Sequence, residues 1–171
     1  LLIENGGRVD AGRVEIGDKT VNGGEKVTIT GMAAGLPLRR STLSVSLLQE
    51  TFNVLGDVGT QIEVKDGAIL ETSLQPTFIG GFESGETGKV LVNNTASGLP
   101  PFDPNATVSS GALWHAQSIF IGGDPEAELV VEDGGVVLAG GDIFLGVFPN
   151  HKGRVTVSDT GSLLECSGEL A

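Results

Sequence analysis

Tyrosine is absent from this 171-residue chain, tryptophan, methionine and cysteine occur once each, and seven phenylalanines complete the aromatic set. A core that leans on large aromatic rings for its buried area is therefore excluded. The single cysteine, Cys166, rules out an internal disulfide. Basic residues are scarce: ten Lys and Arg face 22 Asp and Glu, for a formal net charge of −12. With Arg39-Arg40 as the only adjacent basic pair and no basic stripe, a nucleic-acid partner is not expected. No run approaches the ~18 apolar residues of a membrane span. Nor does the sequence show a signal-peptide pattern; it opens on Leu1-Leu2-Ile3, already inside a repeat. Glycine is plentiful, at 27 of 171 residues, about twice the usual share. Val, Ile and Leu are also plentiful, which argues against disorder.

These residues recur in a pattern. The clearest copy is Val155-Thr156-Val157-Ser158-Asp159-Thr160-Gly161 followed by Leu163-Leu164 and Gly168-Glu169-Leu170. Leu129-Val130-Val131-Glu132-Asp133-Gly134-Gly135 matches it, then Val136-Val137-Leu138 and Ile143-Phe144-Leu145-Gly146. Leu1-Leu2-Ile3 runs on to Val9 and Val14-Glu15-Ile16-Gly17, and Ile62-Glu63-Val64 to Leu70 and Thr77-Phe78-Ile79-Gly80. Two copies are interrupted. Val27-Thr28-Ile29 leads through an insertion to Leu43-Ser44-Val45, and Val90-Leu91-Val92 through a longer one to Ile119-Phe120-Ile121-Gly122. The anchors Leu1, Val27, Ile62, Val90, Leu129 and Val155 are 26, 35, 28, 39 and 26 residues apart, so the basic unit is about 26 residues with loops inserted near 31–42, 46–60, 81–88 and 97–112.

Each unit reads as three short strands. The first is apolar-x-apolar with period two. An Asn/Asp/Gly corner follows, tolerant of positive φ. The second strand centres on Val9, Leu70, Val137 or Leu163, each eight residues after its anchor. The third is again apolar-x-apolar, closed by Gly. No unit can bury its own apolar face, but six stacked in register can. The expected fold is all-β, a right-handed parallel β-helix or three-sided β-solenoid of about six coils, spanning 1–171 as one domain or as a segment of a longer one. Right-handedness follows the usual chirality of parallel crossovers. An antiparallel sandwich also supplies short strands and turns but requires no such repeat. One inward column is Leu1, Val27, Ile62, Val90, Leu129, Val155, and another Ile3, Ile29, Val64, Val92, Val131, Val157. At the strand spacing of a sheet the stack is about 25–30 Å long.

Gly153-Arg154-Val155-Thr156-Val157-Ser158-Asp159-Thr160-Gly161-Ser162-Leu163, Gly88-Lys89-Val90-Leu91-Val92 and the strand-end Ile-Gly pairs at 16–17, 79–80 and 121–122 resemble the repeats of bacterial autotransporter passenger domains (type V secretion) and related surface adhesins. The resemblance covers nearly the whole chain. It implies a right-handed three-sided helix at the cell surface, often a stalk presenting adhesive or enzymatic loops. The translocator barrel and signal peptide of that family are not in this sequence.

Motifs for specific chemistry are thin. Gly80 to Lys89 is glycine-rich but departs from the phosphate-loop pattern: Glu83 stands where the first glycine is needed, and Val90 where a Ser or Thr would hold magnesium. His115 and His151 have no Cys or second His at zinc-ligand spacing. Asp66, Asp133 and Asp159 recur in corners, with Asp18, Asp57, Asp124 and Asp142 elsewhere, but without calcium-loop spacing. Asp103 and Glu126 are candidate members of a glycosidase pair. No metal or cofactor is expected, and catalysis is not expected. Trp114 and His115, directly after the longest insertion, are candidate contacts for a stacked sugar or a partner; the alternative for Trp114 is to shield the edge of the rod. Phe102 and Phe52 lie on insertions and are further candidate contacts, and Leu47, Leu48, Phe52, Val54 and Leu55 suggest a short amphipathic helix over 46–56. Asn93-Asn94-Thr95 and Asn105-Ala106-Thr107 fit the glycosylation pattern.

The expected function is an extracellular or cell-surface structural or adhesive segment. Its partner would be a glycan or a host or cell-surface protein, with self-stacking through open ends. The alternatives are a carbohydrate-active β-helix with its site in the loops at 97–126, and a filament or phage-fibre subunit stacked end to end.

Overall fold

The fold was analysed on a computed structural model that describes residues 1–12, 14–16, 25–33, 39–45, 52–54, 60–74, 76–80, 88–93, 111–123, 126–146 and 149–171. The described chain is all-β. The first coil holds β1 (Leu2–Ile3), β2 (Arg8–Ala11) and β3 (Val14–Ile16). The second holds β4 (Lys26–Thr30), a small pair β5 (Met32–Ala33) and β6 (Arg39–Arg40), then β7 (Thr42–Val45) and β8 (Phe52–Val54). The third holds β9 (Gln61–Lys65), β10 (Ile69–Thr72) and β11 (Thr77–Ile79), and the fourth β12 (Lys89–Asn93), β13 (Leu113–Ala116) and β14 (Ile119–Ile121). The fifth holds β15 (Ala127–Val131), β16 (Val136–Ala139) and β17 (Ile143–Leu145). The sixth holds β18 (Gly153–Val157) and β19 (Leu163–Cys166), after which Leu170 bridges in parallel to Ile143.

Equivalent strands of successive coils pair in parallel. The first sheet runs β1-β4-β9-β12-β15-β18, the second β2-β7-β10-β13-β16-β19 and the third β3-β8-β11-β14-β17. The chain thus visits the three sheets in turn and returns one rung further on, which is the connectivity of a solenoid-like stack. The pair β5–β6 is antiparallel and lies within the first insertion.

The registers reproduce the second inward column in full and the first from Val27 to Val155, whereas Leu1, expected on the first rung, lies outside β1 and is 62% exposed. Leu2 pairs with Thr28 and Ile3 with Ile29, and the ladder then joins Val27, Ile62, Val90, Leu129 and Val155, and beside them Ile29, Val64, Val92, Val131 and Val157. From Ile29 to Val131 the second column is fully buried. Inward side chains of all three sheets meet in one apolar cluster. At the ends the column is asymmetric: Ile3 is 4% exposed and Val157 46%.

The corner after the first strand makes the same backbone demand in each of the five coils where it is described. Two residues past the second column, Asn5, Gly31, Asp66, Asp133 and Asp159 all have φ between 52° and 76°. A Cβ there costs about 1–2 kcal/mol, which Asn and Asp offset by bonding locally and Gly avoids. The recurring acidic corners are thereby explained as left-handed turn residues. Asp133→Gly is expected to leave the urea midpoint close to wild type, whereas Asp133→Val should cost about 1–2 kcal/mol. Gly135, in the same corner, is required for space: a Cβ there would run into the Val92 carbonyl of the coil below.

Two strand positions differ from the sequence reading. Leu43-Ser44-Val45 is the second-sheet strand of its coil, paired with β2 and β10, and the coil closes on β8 at Phe52–Val54. The amphipathic helix expected over 46–56 is corrected at those residues, which are strand; the rest of that span lies outside the described residues. Phe52-Asn53-Val54 is itself apolar-x-apolar, and bonding to both β3 and β11 outweighs any helical preference of so short a stretch. In the last coil Val137 pairs with Leu164, not Leu163. The corner Ser158–Ser162 has one residue more than Glu132–Gly135, which shifts the second strand by one.

Candidate functional surfaces

The outer face of each sheet is a set of ladders in which chemically significant side chains stand one rung apart. On the first sheet, outward Lys26, Gln61, Lys89, Glu128 and Arg154 form one column. Lys26 Nζ lies 2.6 Å and Lys65 Nζ 3.5 Å from Glu63, Lys89 Nζ 2.9 Å from Glu128, and Arg154 2.6 Å from Glu126. Much of the scarce positive charge is thus bound to neighbouring carboxylates on this face. Burial pushes the Glu63 carboxyl up, but the hydrogen bond and charge of Lys26, with Lys65, outweigh it and leave the group below its ordinary value of 4.5.

On the second sheet the outward column is Asp10, Ser44, Glu71, His115, Leu138 and Glu165. His115 Nδ1 and Glu71 Oε2 are 3.0 Å apart and both side chains are half-exposed. Burial raises the Glu71 carboxyl, and hydrogen bonds from His115 and Ser73 outweigh it, so the group ends below its ordinary value. In a nucleophile triad the imidazole sits between hydroxyl and carboxylate. Here Glu71 occupies the rung between Ser44 and His115, so His115 is placed to pair with a carboxylate rather than to activate Ser44.

Both lowered carboxylates contribute stability that is fully present above about 4.5 and is lost as pH falls through their lower folded values. The melting temperature should therefore fall from pH 5 towards 3 (roughly the range of a depressed carboxylate). The decline should be shallower in Glu63→Gln/Glu71→Gln, as read by circular dichroism.

Trp114 does not present its ring to a ligand, which corrects the expected sugar contact, and it does not shield the edge of the rod. It occupies the inward column of the second sheet between Leu70 and Val137 and is fully buried. Its indole Nε1–H donates to Thr72 Oγ1 at 2.9 Å, Thr77 Oγ1 donates to the same oxygen at 3.1 Å, and Thr72 donates to the His115 carbonyl at 3.2 Å. The adjacent inward positions on the same strands are small, Thr72, Ala116 and Ala139, which accommodates the indole. His115, the next residue, faces outward. Phe52 lies on β8 in the third sheet, and Phe102 lies outside the described residues.

The third sheet carries a feature that the sequence reading did not single out. Phe78, Phe120 and Phe144, the middle residues of β11, β14 and β17, are paired rung to rung. Their rings stack, with centroids 4.7 Å apart at 12° between Phe78 and Phe120 and 5.2 Å apart at 20° between Phe120 and Phe144. The flanking residues Ile79, Ile119, Ile121 and Ile143 are buried in the core, so the three rings take the outward position and are half-buried. The signal was the recurrence of Phe in the x slot of three third-strand repeats.

Other candidates are engaged structurally. The Arg40 guanidinium donates to the carbonyls of Gly67 (2.5 Å), Ala68 (3.3 Å) and Gly111, tying the first insertion to the corners of the third and fourth coils. Burial brings its pKa down to about 10, so it keeps its charge at neutral pH. Asp142 Oδ1 accepts from the Glu169 backbone N–H at 2.8 Å. Cys166 is half-buried on an inward position of β19 against the core. Asn93, the acceptor of the first glycosylation pattern, is buried on β12 and its side chain is inaccessible. Asp18, Asp57, Asp103, Asp124 and Asn105 lie outside the described residues. Among the described residues no group of three or more His, Cys, Asp and Glu is arranged to hold a metal ion, and no helix is long and apolar enough to cross a membrane. Comparison with family models, curated protein sequences and solved structures finds no match to this chain.

Proposed function

We propose that the protein is a structural and adhesive segment at the cell surface or outside the cell, a right-handed three-sided β-helix of the autotransporter or surface-adhesin kind, which holds contact surfaces on a rigid stack. Right-handedness is the usual hand of parallel crossovers. The observation that carries the reading is the continuous register of the first sheet from β1 to β18: every coil hydrogen-bonds to the next, so the stack resists bending and repeats its outer side chains at a fixed interval. The register of the described strands continues across the inserted segments, and in a solenoid such insertions are where binding surfaces arise.

A glycan array run together with a polysaccharide depolymerisation screen tests the proposal. Retention of glycans or of cell-surface glycoproteins without product supports it. Release of new reducing ends overturns it in favour of a carbohydrate-active β-helix. Absence of any binding, with light scattering that grows as salt screens the negative charge, overturns it in favour of the filament.

A further inference from the structure

We infer that Asn5-Gly6 is a latched modification site: Asn5 keeps its side-chain amide while the first coil is bonded to the second, and loses it through a succinimide when the two coils part. The inference is independent of the adhesive reading. An asparagine followed by glycine is the pair most open to this reaction, because the glycine has no side chain to hinder approach to its nitrogen. The Gly6 nitrogen attacks Cγ of Asn5, the bond from Cγ to Nδ2 breaks, and the Gly6 proton leaves with Nδ2 as ammonia. Water then opens the ring at either carbonyl and leaves an aspartyl or an isoaspartyl residue at position 5. Asn5 is exposed, so water reaches it.

Two hydrogen bonds oppose the first step. Attack needs the Gly6 nitrogen to give up its proton and to turn towards the Asn5 side chain. That N–H donates to Ser41 Oγ of the second coil at 3.0 Å, and Ser41 is fully buried. The turn is closed by the Gly7 N–H on the Glu4 carbonyl at 2.9 Å, with Asn5 at φ 55° and Gly6 at φ 76°. The same arrangement recurs in the fifth coil. There the Gly135 N–H closes the turn on the Glu132 carbonyl at 2.9 Å, and the Gly134 N–H donates to Ser162 Oγ of the sixth coil at 3.1 Å. Ser41 and Ser162 hold equivalent places, each just before a second-sheet strand whose first N–H bonds to the glycine carbonyl one rung away, Thr42 to Gly7 and Leu163 to Gly135. On the rung after Ala68 that place is taken by Ala112, which has no hydroxyl, and the corner there carries Asp66 in place of asparagine.

The isoaspartyl product makes the parting irreversible. It adds a methylene to the main chain between Ile3 and Arg8, whose partners Ile29 and Thr42 are fixed by the register of two sheets. The site therefore records that the first two coils have separated.

The test is incubation of the 171-residue protein at neutral pH, folded and in unfolding urea, with tryptic digestion and mass measurement of peptide 1–8, alongside hydrogen exchange of the Gly6 amide. Gly6 should exchange slowly although its corner is open to water, and deamidation should be at least about tenfold faster in urea. Ser41→Ala should speed deamidation of Asn5 in the folded protein about fivefold. Ser162→Ala, which removes the equivalent bond at the other corner, should leave the Asn5 rate at its wild-type value. The inference is overturned if Gly6 exchanges like an unbonded amide, if folded and unfolded protein deamidate at one rate, if Ser41→Ala leaves the rate unchanged, or if Ser162→Ala speeds it as much, the mark of general loosening. Exchange and the comparison of folded with unfolded protein are read on the wild type, so an unstable variant does not block the test.

Discussion

Val131→Asp is expected to unfold the protein or bring it to the edge of unfolding at neutral pH. Val131 is fully buried, stacked between Val92 and Val157 in the second inward column of the first sheet, with the apolar residues of the other two sheets across from it. A carboxylate placed there stands among apolar side chains, and burying it unpaired costs several kcal/mol. Total stabilities of domains are only about 5–15 kcal/mol. Val131→Ala removes two methyl groups and should cost about 2 kcal/mol. Thr156→Asp introduces the same carboxylate at an outward position of β18 and should cost no more than about 1 kcal/mol. Urea unfolding followed by circular dichroism orders the three. Equal loss in Val131→Asp and Thr156→Asp would mean that the side chains of this sheet do not alternate as described.

Trp114→Ala should be the most damaging of the truncations, at about 3–5 kcal/mol. The indole is the largest fully buried side chain of the core, and removing it empties space that Leu70 and Val137, held by the ladders on either side, can only partly close. Trp114→Phe separates volume from hydrogen bonding. It keeps an apolar ring but removes the donor to Thr72 Oγ1, which still accepts from Thr77. With no acceptor left unsatisfied, the expected cost is about 0.5–1.5 kcal/mol beyond the loss of volume. If Trp114→Ala were tolerated, the indole would have to be outside the core, and its role as a surface contact would return.

The core was readable in the sequence because a stacked coil places the same backbone environment on every rung. Position after position along Ile3, Ile29, Val64, Val92, Val131 and Val157 demands an inward, β-favouring apolar residue, and each supplies one. Corners were readable for the same reason, since positive φ restricts Asn5, Asp66, Asp133 and Asp159 to a few residue types. Phase was harder wherever apolar residues are adjacent. Leu113-Trp114 and Val136-Val137 contain one inward and one outward residue each, and Leu113 and Val136 are buried despite their outward positions. Period two alone cannot choose between them, and the insertion before β13 removes the count from the anchor. The same ambiguity, with one extra residue in the corner Ser158–Ser162, displaced Leu163 for Leu164. Surface features were least readable, because an outward residue is not constrained by the core. The phenylalanine ladder joins residues 42 and 24 positions apart, and the Glu71–His115 pair residues 44 apart, which only the register brings together.

Parallel register is the claim on which everything else depends, and backbone nuclear Overhauser effects measure it directly. The expected result is a chain of contacts linking Val64 to Val92, Val92 to Val131 and Val131 to Val157 in the pattern of parallel strands, with the rings of Phe78, Phe120 and Phe144 in mutual contact. Close Hα–Hα contacts between neighbouring strands within one repeat, the mark of antiparallel pairing, would contradict it.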